Sequence, residues 1–407
     1  MAIPMNSLDE TPNLYISKRS CLYISVFVLL VFLASELLYK NNDFYFFGMA
    51  LNNYNSRITL GLISSILTYT IVSIYIFPKG TYNWPSYGFW KVIFGLIVLY
   101  FHLLVFLLFQ DMEDIKRALE YIDPSLKGST FEINYASGNS CSLMDNSNGI
   151  LSNVRSKIDT FVIAHFIGWG IKTLILRDNF LIWFNSIFFE WLEITFRHLL
   201  PNFHECWWDH LLFDIFGCNL LGIVMGNILI KRFNLIKYSW HTNVPYCEND
   251  NGNNNIISFK WPSILSTLRG YFSFIILTIV VQLIDLNYFF FKAEFSMPVS
   301  HWIFIIRTPL LAICGSSATR ELYETLSTGS SLYYGKIHFQ YLILTMVILS
   351  ETLLCWRFRH YLNAKTLLPP MFVSIVWLIL LSLLIIIFVS LLIKRIIHEK
   401  KKIMKEN

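Results

Sequence analysis

The chain has 407 residues, 55% of them hydrophobic and only 14% charged, with a mean hydropathy of +0.51 and a formal net charge of +5. A water-soluble domain carries about 25% charged residues, so a chain this apolar lacks the polar surface to be one. A bilayer-embedded protein is the class that remains, and its 12 Trp and 35 Phe suit interfaces that need amphipathic rings and surfaces that meet lipid tails.

Crossing a bilayer takes about 20 apolar residues as helix, because hydrocarbon offers no partner to an exposed peptide group. Residues 1–20 are polar and no cleavage pattern follows them, so they read as a cytoplasmic tail ahead of a signal anchor. The clear apolar runs then fall at 21–39, 59–77 and 90–109, before an Asn- and Ser-rich loop over 111–157. Three shorter or polar-interrupted runs follow at 160–176, 180–196 and 208–230. The tract 248–255 (ENDNGNNN) is low-complexity and reads as a disordered cytoplasmic loop. Further runs at 271–291, 301–314, 338–355 and 371–393 complete the set, and 394–407 is a basic tail. The expected fold is therefore all-α, a polytopic bundle of about ten transmembrane helices, with 21–393 as one transmembrane catalytic domain.

Lys and Arg at the membrane edge set the orientation. Lys18 and Arg19 precede the first run, and Lys394, Arg395, Lys400, Lys401, Lys402 and Lys405 follow the last, so both ends read as cytoplasmic and the number of spans as even. Counting across puts Lys231 and Arg232 on the cytoplasmic side and the segments 111–157 and 201–209 on the other. The basic tail also has the composition of a lipid-binding patch, but a topology signal explains it with less. Seven Cys show no CxxC spacing; Cys141 and Cys206 both fall on the non-cytoplasmic side, where an oxidising lumen would let them pair, and the sequence leaves that open.

Ionisable residues inside a membrane are costly and mark function by default. They concentrate in 165–219, where His165 and Lys172 share one run and Glu190 and Glu193 the next, followed by Arg197, His198, Asn202, His204, Glu205, Asp209, His210, Asp214 and Asn219. Glu190 and Glu193 are three apart, so a helix presents both carboxylates on one face, and Glu205 and Asp209 at four apart do the same if a helix restarts after Pro201. So many carboxylates cannot all stay ionised in a low dielectric without a counter-charge. A divalent cation supplies one, and carboxylate and amide oxygens select a hard ion such as Ca²⁺ or Mg²⁺. Buried ion pairs to Arg197, Lys172 or His198 are the alternative for any one acid. A zinc reading of His198, His204, Cys206 and His210 is the lesser alternative, because their spacing matches no finger or protease pattern and no HExxH is present. Trp207 and Trp208 fit an aromatic belt and a cation-π contact with a head group equally well.

The run 189–219, FEWLEITFRHLLPNFHECWWDHLLFDIFGCN, resembles the eukaryotic base-exchange phosphatidylserine synthases, through its aromatic-E-x-x-E stretch, its HLLPNF and ECWWD core and its closing D-x-x-x-C-N. Segments that look like the family's others occur in the same order: FPKG at 77–80, the apolar run 92–109, DPSL at 123–126, AHFIGWGIK at 164–172, LNYFFFK at 286–292 and ATR at 318–320. The resemblance implies a multi-pass enzyme of the endoplasmic reticulum membrane that exchanges the head group of phosphatidylcholine or phosphatidylethanolamine for L-serine, with Ca²⁺ and without a nucleotide. It carries functional roles onto His165, Glu190, Glu193, Asn202, Glu205, Asp209, Asp214 and Asn219. His204 and His210 depart from the family pattern, as does Gly217, and none of the three is expected to touch the acidic set.

The chemistry agrees. Exchange at a phosphodiester needs the phosphoryl charge offset, the incoming hydroxyl deprotonated and the leaving alkoxide protonated. Glu190, Glu193, Glu205, Asp209 and Asp214 are the expected metal-holding set; His165, with Asn202 and Asn219, is the expected catalytic set, His165 being of a residue type that titrates near neutral pH. A cation or solute transporter is the rival from another class, but inverted repeats and matched Gly/Pro-broken helices are missing. The DGxxAR signature of CDP-alcohol phosphotransferases and a Walker GxxxxGK loop are absent too. No nucleic-acid partner is expected, and a homodimer is compatible with the sequence.

Overall fold

A computed structural model describes residues 15–40, 54–76, 88–128, 160–200, 203, 205–238, 265, 267–298, 301–327, 336–362 and 369–406. Its helices are α1 (Lys18–Lys40), α2 (Tyr54–Ile76), α3 (Gly88–Leu107), α4 (Met112–Ile122), α5 (Thr160–Leu176), α6 (Asn179–Phe196), α7 (Asp209–Arg232), α8 (Leu268–Glu294), α9 (Trp302–Ser327), α10 (Phe339–Phe358) and α11 (Met371–Glu406). Every apolar run of the sequence lies on one of them, so the fold is the expected polytopic helical bundle. Among the described residues 8 helices are long and apolar enough to cross a membrane; α5 contributes a shorter apolar stretch, Val162–Leu176, and α6 has 18 residues, two of them glutamates. The outward faces of these helices are apolar: Leu99 on α3, Ile305 on α9 and Leu378 and Ile386 on α11 are all exposed, as lipid-facing side chains are.

The helices form two compact units. The first holds α1 to α4, α8 from Leu283 onward, α9 and α10. Among the described residues its one sheet is a two-stranded antiparallel ribbon, β1 (Tyr15–Ser17) against β2 (Lys336–His338), which joins the segments just ahead of α1 and α10. At the opposite helix ends, α4 is short and amphipathic, burying Met112 and Ile115. Its buried Asp114 accepts from Arg57 of α2 at 2.5 Å, and Asp123 lies 3.2 Å from His301 at the start of α9. Arg357 near the end of α10 donates to Glu36 at 2.8 Å and to Ser35 at 2.9 Å, both near the end of α1. Segments that charge asymmetry assigns to one side of the membrane thus meet one another within this unit. Its centre is an ion pair with no exposure to speak of: Arg307 donates to Glu351 through Nε at 2.7 Å and Nη2 at 2.6 Å. The Tyr100 hydroxyl and Asn287 Nδ2 also donate to Glu351, so α3, α8, α9 and α10 share one carboxylate. A buried charge this well supplied with donors is the arrangement that low dielectric demands.

The second unit holds α5, α6, α7, α8 through Gln282, and α11. Aromatic rings of Phe180, Phe184 and Phe274 pack α6 on α8, and Trp377 of α11 donates to the Thr195 hydroxyl of α6 at 3.1 Å. Gln282 donates to both the backbone oxygen and the Oδ1 of Asn185, at 2.9 and 3.0 Å. The tightest seam is between α5 and α7. A Cβ at Gly222 would lie 2.3 Å from the backbone oxygen of Phe166, and one at Gly226 would lie 2.6 Å from Thr173 Cβ. Only glycine admits such an approach, as in small-residue packing of membrane helices generally. Cys206 is disulfide-bonded; the partner the topology favours, Cys141, lies outside the described residues.

Candidate active site

The sequence places the polar residues of 165–219 on three helices and one connector, and the second unit brings most of them together. On α6, Glu190 and Glu193 share a face as their spacing requires, and both are buried. Ser186, one turn earlier on that face, is fully buried as well. On α5, His165 looks towards α7. The connector supplies Glu205, whose side chain is 29% exposed and is the most open of the set.

The contribution of α7 depends on an unexpected backbone. Asp209–Asn219 is a π-helix that passes into α-helix at Leu220. In an α-helix, residues five apart point roughly 140° away from each other. A π-helix bonds i to i+5, so residues five apart stack on one face. Asp209, Asp214 and Asn219 are spaced by five, and all three are buried. The sequence predicts the start of an ordinary helix in this segment; the wider turn is the correction, and it is what aligns two carboxylates and an amide.

Asn219 is the link between helices. Its Nδ2 donates to Ser186 Oγ at 3.1 Å and to Glu190 Oε1 at 3.2 Å, while its Oδ1 lies 3.4 Å from His165 Nδ1. The same His165 nitrogen is 3.8 Å from Asp214 Oδ1. With Nδ1–H donated to the Asn219 oxygen, the lone pair of the ring resides on Nε2. His210 corrects a second expectation, because it sits inside the acidic set and not apart from it. Its Nδ1 is 3.0 Å from Glu190, 3.3 Å from Glu193 and 4.0 Å from Glu205.

Three overlapping triads bring one ligand atom per residue within 4.8 Å of one another: Glu190, His210 and Asp214; Glu193, Glu205 and His210; Glu205, Asp209 and Asp214. All five carboxylates expected to hold a cation therefore belong to one cluster with donors that can do so. The Lys172 ammonium lies 4.0 Å from the centre of the Trp169 ring, a cation-π contact. The tryptophan pair divides: Trp207 is 60% exposed, whereas Trp208 is buried against Phe213. Cys206, being in a disulfide, has no thiolate to give a zinc site. Asn202 and His204 lie outside the described residues. Sequence reasoning missed Ser186, and it named His210 but set it apart from the acidic set. The first is signalled by its position four before Glu190, and the second only by adjacency to Asp209.

A polytopic helical membrane protein with a carboxylate, histidine and amide cluster buried among its helices is the class that fold and site define. A family model described as "Phosphatidyl serine synthase" matches residues 85–359. The chain is 30% identical over 324 residues to phosphatidylserine synthase of Drosophila melanogaster, an alignment covering 77% of this chain and 63% of that protein. It is also 30% identical over 335 residues to phosphatidylserine synthase 2 of Homo sapiens, covering 80% and 67%, and 30% over 341 residues to phosphatidylserine synthase 1 of Danio rerio, covering 81% and 70%. The chain belongs to the phosphatidyl serine synthase family, and it spans about two thirds of the length of these relatives.

Proposed function

We propose that this chain is a base-exchange phosphatidylserine synthase of the endoplasmic reticulum membrane. It replaces the choline or ethanolamine head group of phosphatidylcholine or phosphatidylethanolamine with L-serine, using Ca²⁺. The observation that carries the reading is the meeting of His165 with Asn219 and Asp214, at 3.4 and 3.8 Å, beside five clustered carboxylates.

The donor set fits a hard cation. Glu190, Glu193, Asp209 and Asp214 are all buried, and like charges so placed need a counter-charge to remain ionised. Oxygen ligands in that number suit Ca²⁺. Held by Glu190, Glu193, Glu205, Asp209 and Asp214, the ion would offset the negative charge of the lipid phosphate as it builds during transfer. The remaining work belongs to side chains. His165 Nε2 takes the proton of the serine hydroxyl as its oxygen bonds to phosphorus. The bond from phosphorus to the choline or ethanolamine oxygen breaks, and that oxygen recovers a proton, so the exchange is balanced. Asn219 holds the imidazole in the tautomer that frees Nε2, and Asp214 lies close enough to stabilise the imidazolium. General acid-base catalysis of this kind contributes about 10²–10⁴ in rate. Asn202 stays in the catalytic set on the family pattern.

The test is release of choline or ethanolamine from defined phospholipid by purified protein in detergent, with L-serine, with and without Ca²⁺. Release that needs serine and Ca²⁺, and that His165→Ala abolishes in a protein that still folds, is the expected result. Retained exchange in His165→Ala removes that residue from the mechanism. No release from either lipid by the folded wild type with Ca²⁺ supplied overturns the enzyme reading and makes ion or solute transport the leading account of the cluster.

A further inference from the structure

We infer that the basic end of α11 is a membrane-surface docking helix whose partner is an anionic lipid leaflet. It lies beyond residues 85–359, which the family model matches, and it does not depend on the chemistry of the acidic cluster.

α11 runs unbroken for 36 residues, about 54 Å of helix against a hydrocarbon core of about 30 Å. No Gly or Pro follows Pro370, so nothing stops the helix where the apolar run ends at Ile393. The stretch 394–406 therefore leaves the core as helix, and it carries six Lys or Arg against two Glu, a formal +4 out of the chain's +5. A topology signal accounts for those charges but not for the apolar stripe beside them. Inside the span, Ile386, Val389 and Ile393 share one exposed side at spacings of three and four, and Ile396, Ile397 and Met404, exposed too, continue that side past the first charges. Of the eight candidate spans α11 is also the least buried, so lipid is what surrounds it. A helix with an apolar stripe among cations is the pattern of one that rests on a bilayer. Basic flanks mark the cytoplasmic side, where the leaflet carries anionic lipid. Lys394 and Arg395, both exposed, stand at head-group level. Even on an upright helix, positions 400–402 come within about 8 Å of a head-group layer about 6 Å thick, which is one Debye length at physiological ionic strength. The apolar run, about 34 Å long, exceeds the core and so tilts, and tilt towards the exposed stripe lowers the tail onto the surface. An acidic protein is the alternative occupant; it would use the same cations but take no account of lipid charge.

Electron spin resonance of the full chain in nanodiscs tests this, with a nitroxide on the thiol introduced by Met404→Cys and identically treated wild type as the blank for native thiols. Discs of phosphatidylcholine alone are compared with discs in which about a third of the lipid is phosphatidylglycerol. Docking predicts a mobile probe in the first and an immobilised one in the second. Adding Lys400→Gln, Lys401→Gln and Lys402→Gln should lower the ratio of immobilised to mobile probe about fivefold or more, since a single cation near an anionic surface accounts for about a factor of five. Salt at 1 M, where the Debye length is about 3 Å, should free the probe without any change of lysine. Equal mobility in the two kinds of disc overturns the inference, as does a triple variant that behaves like its parent. Immobilisation that is the same in both lipids, or that survives 1 M salt, also overturns it, because the tail would then be held by protein and not by leaflet charge.

Discussion

Gly222 to Ala tests whether the seam between α5 and α7 is what holds the reacting groups in place. The added Cβ would sit 2.3 Å from the backbone oxygen of Phe166 and 3.1 Å from the backbone nitrogen of Gly170. Neither atom belongs to a side chain that can swing aside, so the helices must part by about 1 Å to regain ordinary contact. Overpacking of this kind costs about 1–3 kcal/mol. Phe166 follows His165 directly, and Gly222 lies three residues beyond Asn219. The displacement therefore acts on the His165 to Asn219 contact, which at 3.4 Å has no slack. A misplacement of about 1 Å in a catalytic pair costs about 10²-fold in rate. On the proposed function, the expected outcome is a protein that still purifies, melts at lower temperature in detergent and releases the head group about a hundredfold more slowly. Gly168 on the same helix as Phe166 is the control, because a Cβ added there would meet nothing within 4 Å. Gly168→Ala should match the wild type in activity and be as stable or slightly more so, by about 0.4–1 kcal/mol. Wild-type melting and activity in Gly222→Ala would refute the reasoning, since the seam would then tolerate the methyl.

Removing the hydroxyl in Ser186→Ala deletes one hydrogen bond to Asn219, worth about 0.5–1.5 kcal/mol; a severalfold fall in kcat with KM unchanged is expected, and a matching rise in KM would point to substrate contact instead. Arg307→Leu leaves Glu351 buried without its partner, at a cost of about 3–5 kcal/mol. Thermal unfolding should show the double variant Arg307→Leu with Glu351→Leu less destabilised than either single change, and equal loss in all three would mean the pair is not coupled. Peptide mapping without reductant should recover Cys206 joined to Cys141; a bridge to Cys247, which directly precedes the tract 248–255 read as a cytoplasmic loop, would overturn that topology.

What is legible in the sequence follows from the solvent it is built for. In a chain with 14% charged residues, acids within apolar runs stand out, and Glu190 and Glu193 at three apart need only an α-helix to face one way. The positions of the helices are legible for the same reason, since lipid leaves the backbone no other choice. The arrangement on α7 is not. Spacings of five place Asp209, Asp214 and Asn219 on different faces of the expected α-helix, and no composition announces the π-helix that stacks them. His210 illustrates the limit most sharply. Its departure from the family pattern is visible in the sequence, yet its consequence lies in how α6 meets α7, which brings Glu190, twenty positions earlier, to 3.0 Å from its ring.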